Sequence, residues 1–246
     1  MTEKKQLYNS VAPLWNVSAL VSLIDRVQNR AHGLPGMACF HGRAGLGKSY
    51  ATTYAANHFQ AYCVQVKSEW RGRFFCQSIL KDMGQKPANT VAEMVEQIAE
   101  HLAKFNRTLI IDEADVLVRR NLIELARDIH EASGSPVILV GEEQMPQELQ
   151  KWERVHSRML AWVGAEPVVL NEMPLLRAIY CPDVAISDEM LAALLKACHG
   201  STRRICVNLA GIQEFGRVRG LPTITLQEWG KRTFETGEAP SPRRAA

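Results

Sequence analysis

Residues 37–50 read MACFHGRAGLGKSY. An unbroken apolar run leads into Gly42-x-x-x-x-Gly47-Lys48-Ser49, the spacing of a phosphate-binding loop. No other stretch limits the possible folds so tightly. The glycines let successive backbone N–H groups turn toward one point, and a helix has to begin there so that its positive dipole end faces the bound anion. The run before the loop must be a buried strand, and the helix must pack back onto the sheet. The smallest unit that satisfies these demands is strand–loop–helix inside a layered α/β domain. On this reading Lys48 meets the β- and γ-phosphates and Ser49 ligates Mg2+. Gly42, Gly45, Leu46, Gly47 and Tyr50 complete the wrap around the nucleotide. ATP and Mg2+ are therefore the expected cofactors.

The remaining pattern agrees with that unit. Val17, Leu20, Val21, Ile24 and Val27 form one helical stripe, which predicts an N-terminal helix over 16–31. Strands are expected at MACFHG, AYCVQVK, TLIIDEAD, PVILVGEE and EPVVLNEM, the last being the fifth. Helices are expected over 47–59, RGRFFCQSILKDMG, TVAEMVEQIAEHLAKF and NLIELARDIHEASG, the third opening on Thr90 with Glu93 at capping-box spacing. Strands this uniformly apolar belong in a parallel sheet covered on both faces. After Pro174 the pattern becomes helical throughout, in SDEMLAALLKACHG, STRRICVNLAGIQEFGRVRG and TLQEWGKRTFE. The expected organisation is an α/β nucleotide-binding domain over 1–172, a small helical lid over 173–236 and a disordered tail over 237–246.

Asp112 closes the strand TLIID, 64 residues after Lys48, and Glu113 follows it. Adjacent carboxylates at a strand end can divide the work, with Asp112 on the metal's water shell and Glu113 orienting and deprotonating an attacking water. A small-molecule kinase needs no such glutamate, so the pair favours hydrolysis. The end of PVILVGEE should place a polar group between the two motifs. Gly141 stands there, followed by Glu142 and Glu143, so either Glu142 is that group or the segment is a plain capping turn. ERVHSRML offers Arg154 and Arg158. Arg158 in particular could reach a neighbouring subunit's γ-phosphate, or could be a helix-face arginine paired with a local acid such as Glu153. Arg203, in the first turn of a lid helix, opposes the helix dipole, a misfit explained if it points at a phosphate.

Together the phosphate loop, LIIDEAD, SRML and GSTR resemble an AAA+ ATPase. The stretch ELARDIHEASGSPVILVGEE further resembles the DNA transposition ATPases, the group of the phage Mu B, TnsC and TniB proteins. The resemblance spans about residues 15–235. It implies a parallel five-stranded sheet flanked by helices, with a C-terminal helical lid. It also implies a homo-oligomeric filament or ring assembled on double-stranded DNA, recruitment of a transposase, Arg158 as a finger acting in trans and Arg203 as a lid sensor. A helicase loader or replication initiator with the same core is the alternative; a monomeric P-loop kinase or switch, needing neither arginine, stands further off.

With 41 residues ahead of Gly42, DNA binding is expected from the ATPase core. KSEWRGRFF offers Lys67, Arg71 and Arg73 for backbone contacts without sequence preference, while Phe74 and Phe75 are expected in the core. Charge agrees only loosely. The net charge is +3, and nine Lys/Arg against four Glu from Lys196 onward make the C-terminal segment basic. Six cysteines without a CxxC pair read as reduced core thiols, and no apolar run matches a signal core or membrane span. A cytoplasmic protein without a membrane partner is expected.

Overall fold

The computed structural model describes residues 12–237, so the expected tail lies outside the described residues except for Gly237. The described chain forms two compact units, residues 15–166 and a second made of 12–14 with 167 onward. The division falls at Glu166/Pro167, ahead of the 172/173 boundary expected from the sequence.

The first unit runs α1 (Trp15–Gln28), β1 (Met37–His41), α2 (Lys48–Phe59), β2 (Tyr62–Gln65), α3 (Gly72–Asp82), α4 (Val91–Phe105), β3 (Leu109–Asp112), α5 (Asp115–Arg119), α6 (Glu124–Ser133), β4 (Val137–Gly141), α7 (Met145–Leu149), α8 (Glu153–His156) and β5 (Met159–Gly164). The five strands are parallel in the order β2-β3-β4-β1-β5. Met37 to Phe40 and Leu109 to Ile111 are fully buried, as strands covered on both faces must be. The helix α1 buries Val17, Leu20, Leu23, Ile24 and Val27 and packs on α2, β1 and β5. The capping box of α4 forms as expected. The Thr90 hydroxyl accepts the Glu93 N–H at 3.2 Å, and the Glu93 carboxylate accepts the Thr90 N–H at 2.9 Å. Its Met94, Ile98, Ala99 and Leu102 are buried, and the helix packs on α3 and α6.

Three expectations are corrected. The fifth strand is not EPVVLNEM but Met159–Gly164, paired along β1 from Met37↔Met159 to His41↔Gly164. Pro167 carries no N–H for a ladder, the Val168 N–H goes to the Gly200 carbonyl at 2.9 Å, and Leu170–Glu172 is a 3-10 turn. Phe74 is not core: it is 62% exposed while its neighbour Phe75 is fully buried. Nor is the segment after Pro174 wholly helical.

The second unit contains α9 (Met173–Tyr180), β6 (Ala185–Ile186), α10 (Asp188–Cys198), α11 (Thr202–Arg219), β7 (Thr223–Ile224) and the short α12 (Leu226–Trp229). The strands β6 and β7 pair in parallel, Ala185↔Thr223 and Ile186↔Ile224. Its core is built on α11, which buries Ile205, Leu209 and Ile212 and packs on α9 and α10. Among the described residues no helix is long and apolar enough to cross a membrane. All six cysteines are free thiols.

Candidate nucleotide site

The turn from β1 into α2 has the backbone its glycines allow. Gly45 and Gly47 both sit at φ +85°, in the left-handed region that costs other residues energy, and α2 starts at Lys48 directly after them. Gly42 begins the loop where a Cβ would lie 2.9 Å from the Ala165 Cβ. The Lys48 ammonium donates to the carbonyls of Gly42 at 2.6 Å and Arg43 at 3.0 Å. Burial lowers its pKa, and Glu113, Asp112, Asp115 and Glu142 oppose that shift. Tyr50 lies in the first turn of α2, half-buried.

Sequence reasoning missed the residue that holds this loop. Asn16, 4% exposed in α1, donates from Nδ2 to the Leu46 carbonyl and to the Glu166 carbonyl, both at 2.8 Å, and its Oδ1 accepts the Glu166 N–H at 2.8 Å. One amide thus ties the phosphate loop to the chain just past β5. The signal was present in outline, since Asn16 lies on the helical face of Leu20, Leu23 and Val27 and is a polar residue at a core position.

The acids stand where the spacing put them. Asp112, 4% exposed, ends β3. Burial raises its pKa, while hydrogen bonds from the Ser49 hydroxyl and the Glu113 N–H and the charge of Lys48 pull it down. Glu113 donates that N–H to Asp112 Oδ1 at 3.0 Å. Its own φ of +56° is unusual for a residue with a side chain, and such conformations persist where the surroundings hold them, commonly at functional sites. Burial and the neighbouring Asp112 and Asp115 raise its pKa, which suits a group that must accept a proton.

Ser49 and Asp112, brought into hydrogen-bond contact, offer a hydroxyl and a carboxylate, the hard oxygen donors that Mg2+ takes. Among the described residues no group of three His, Cys, Asp or Glu side chains could hold a metal by itself. Mg2+ at a nucleotide needs less, one or two protein oxygens with phosphates and water supplying the rest. The residues fit the ion. The arrangement can bind a triphosphate through backbone N–H groups and Lys48, hold a cation at Ser49 and Asp112, and present Glu113 to a water.

Arg158 is not placed at this loop. Arg158 lies at the other end of the sheet, where its carbonyl accepts the Met37 N–H at 3.0 Å; roughly 13 Å of β1 separates Met37 from His41 at the strand rise of about 3.3 Å per residue. Its Nε donates to Glu131 at 2.5 Å, so its partner is Glu131 and not Glu153. Arg154 is exposed on α8 and Arg203 is exposed in the first turn of α11 in the second unit. Lys67, Arg71 and Arg73 are exposed together around the start of α3, with Arg73 Nη1 donating to the Asn89 carbonyl at 2.7 Å.

Comparison with known proteins agrees with this geometry. Residues 31–149, just under half of the chain, match the family model described as AAA domain. Among curated protein sequences none matches this one. Several solved structures share the fold. The Aeropyrum pernix ORC2 protein, solved with ADPNP and ADP, aligns with a TM-score of 0.64 at 15% identity over 89% of this chain and 68% of that one. Cdc6p from Pyrobaculum aerophilum gives 0.63 at 17%, over 88% and 66%. A chain of Drosophila ORC bound to DNA gives 0.62 at 16%, over 91% and 62%. The protein thus spans about two thirds of the length of these structures. From the strand order, the glycine loop and the likeness to these structures, the protein has the AAA+ P-loop fold, and its residues 31–149 are similar to an AAA domain.

Proposed function

We propose that this protein is an ATP-hydrolysing, DNA-binding AAA+ ATPase of the replication-initiator or helicase-loader kind. One observation carries the ATPase part. Lys48, Ser49 and Asp112 converge at the glycine loop, and Glu113 is held in a left-handed backbone beside them. A protein that kept ATP only as a structural ligand would need no such glutamate. The DNA part is supported by the exposed Lys67, Arg71 and Arg73 and by two similar structures, Drosophila ORC and the Aeropyrum pernix ORC1 protein, each solved with DNA. The same likeness to ORC and Cdc6 structures favours the initiator or loader reading over regulation of transposition. Transposase recruitment stays as a second reading because ELARDIHEASGSPVILVGEE, residues 124–143, is what resembles the transposition ATPases.

In this function ATP closes subunits on one another with Arg158 of one completing the site of the next, and Arg203 reads the nucleotide from the lid. Closure aligns the basic residues of successive subunits along one duplex, where weak contacts add through avidity. The test is the ATPase rate with and without duplex DNA, together with gel shifts on random duplex in ATP, ADP and no nucleotide. DNA-stimulated turnover and tighter binding with ATP are expected. Glu113→Gln should bind fluorescent ATP normally and lose turnover by about 100-fold or more. Equal DNA affinity in all three nucleotide states refutes the switch.

A further inference from the structure

A cavity of about 380 Å³ opens where α5 packs on α7. Val118 and Arg119 of α5 and Asn121 line one wall, and Glu148 of α7 with Lys151 and Trp152 lines the other. None of the six belongs to the phosphate loop or to its acids. Both walls are fixed to the core, through buried Val118 on one side and buried Met145 and Leu149 on the other. The Trp152 N–H donates to the Leu149 carbonyl at 2.9 Å, which sets the turn that carries Lys151.

The polar groups of this cavity are not spent on one another. Glu148 Oε2 is buried and has no hydrogen-bond partner among the described residues. Burying a carboxylate oxygen without a donor is costly, so this oxygen calls for an N–H or O–H. Arg119 does not supply it, being engaged with Asp115 at 3.0 Å and Glu142 at 2.6 Å. Lys151 is exposed and has no acidic partner among the described residues, and the exposed Asn121 amide has no hydrogen-bond partner among them. The half-buried indole of Trp152 adds an apolar surface. A water would satisfy the Glu148 oxygen, yet it leaves the indole, the Lys151 ammonium and the Asn121 amide without a use. A cationic ligand would meet Lys151 and Arg119 on the same walls. The ligand that answers every group has N–H donors, a flat face and a negative group, and the volume is in the range of small-molecule sites.

We propose that this cavity is a second nucleotide site, which takes a guanine base with a phosphate attached. The Glu148 carboxylate accepts the ring N–H and amino hydrogens of the base, and the Asn121 amide donates to its ring carbonyl. Trp152 packs on the ring, and Lys151 meets the phosphate. The base comes from a free nucleotide or from a guanine turned out of a nucleic-acid strand. No bond is made or broken, and the inference does not depend on the ATPase reading.

The test uses the full chain carrying Lys48→Ala, which silences the phosphate loop, with guanosine monophosphate as the probe in a calorimetric titration. Binding is expected, weaker by about 10-fold or more for adenosine monophosphate, with inosine monophosphate in between. Adding Glu148→Gln should cost about 10-fold or more in affinity for the guanine nucleotide without lowering the melting temperature, since no partner is lost. Adding Lys151→Ala should weaken guanosine monophosphate and leave guanosine unchanged. A thymidine oligonucleotide bearing one guanine, set against the all-thymidine strand, tells a base in a strand from a free nucleotide. Binding of neither probe, equal affinity for the three monophosphates, or full affinity in Glu148→Gln overturns the proposal. An arginine-rich peptide bound in their place and released by Glu148→Gln overturns it in favour of a protein partner. Should Glu148→Gln fail to fold, base discrimination and the Lys151→Ala comparison decide. All these readouts are taken without turnover, so an inactive wild type bears on the ATPase reading alone.

Discussion

Replacing Asn16 with alanine tests whether the phosphate loop is held from outside itself. The side chain makes three hydrogen bonds of 2.8 Å, to the Leu46 carbonyl and to both backbone groups of Glu166. At 4% exposure, little water is on hand to replace them. Each buried polar group left without a partner costs about 1–3 kcal/mol. Three such groups, partly relieved by a shift of the loop, give about 3–4 kcal/mol. For a chain of this size 1 kcal/mol moves the melting temperature by about 2–4 °C, so Asn16→Ala should melt about 6–16 °C lower in a thermal scan. A second effect separates this residue from an ordinary core polar group. With the Leu46 carbonyl released, the loop loses its preorganisation, so fluorescent-ATP titration should show weaker binding and saturating Mg·ATP should raise the melting temperature less than in the wild type. A fall of under about 2 °C with unchanged ATP affinity would refute the reasoning, since the strap would then be replaceable by water.

Gly141→Ala forces a Cβ against Met145 and Asp115; overpacking of this kind costs about 1–3 kcal/mol, visible in a denaturant titration, and kcat should fall with it because Asp115 is displaced. Arg158→Ala should bind ATP nearly normally yet hydrolyse it slowly, and mixing it with Glu113→Gln should restore activity, because hybrid interfaces pair an intact Glu113 with an intact Arg158; no recovery in co-assembled protein counts against action in trans. Arg71→Glu with Arg73→Glu should weaken binding to random duplex DNA by about 10-fold or more and flatten its salt dependence. Unchanged binding would move the DNA surface elsewhere, such as Arg217 and Lys231 in the basic C-terminal segment.

The parts of this protein legible in its sequence are those whose causes lie within a few residues of one another. The glycine loop needs φ +85° at Gly45 and Gly47 and a helix starting at Lys48, and all of that is written in eight consecutive positions. The same holds for the Thr90–Glu93 capping box and for the apolar strand that delivers Asp112 and Glu113. Where two short segments competed for one role, the chain alone did not decide. MLAWVG and EPVVLNEM are both brief apolar runs, and pairing with β1 chose the first. Phe74 and Phe75 are adjacent in one helix, so about 100° of rotation put one in solvent and the other in the core. The contacts that shape the site span long stretches of chain. Asn16 reaches Leu46 and Glu166, Arg158 is held by Glu131, and Asp115 fills the space at Gly141 while Arg119 grips Glu142. A hydrogen bond between residues 27 or 150 apart leaves no periodicity in the sequence. It exists only because strands and helices that are distant along the chain are packed side by side, and that packing was decided by the tertiary structure.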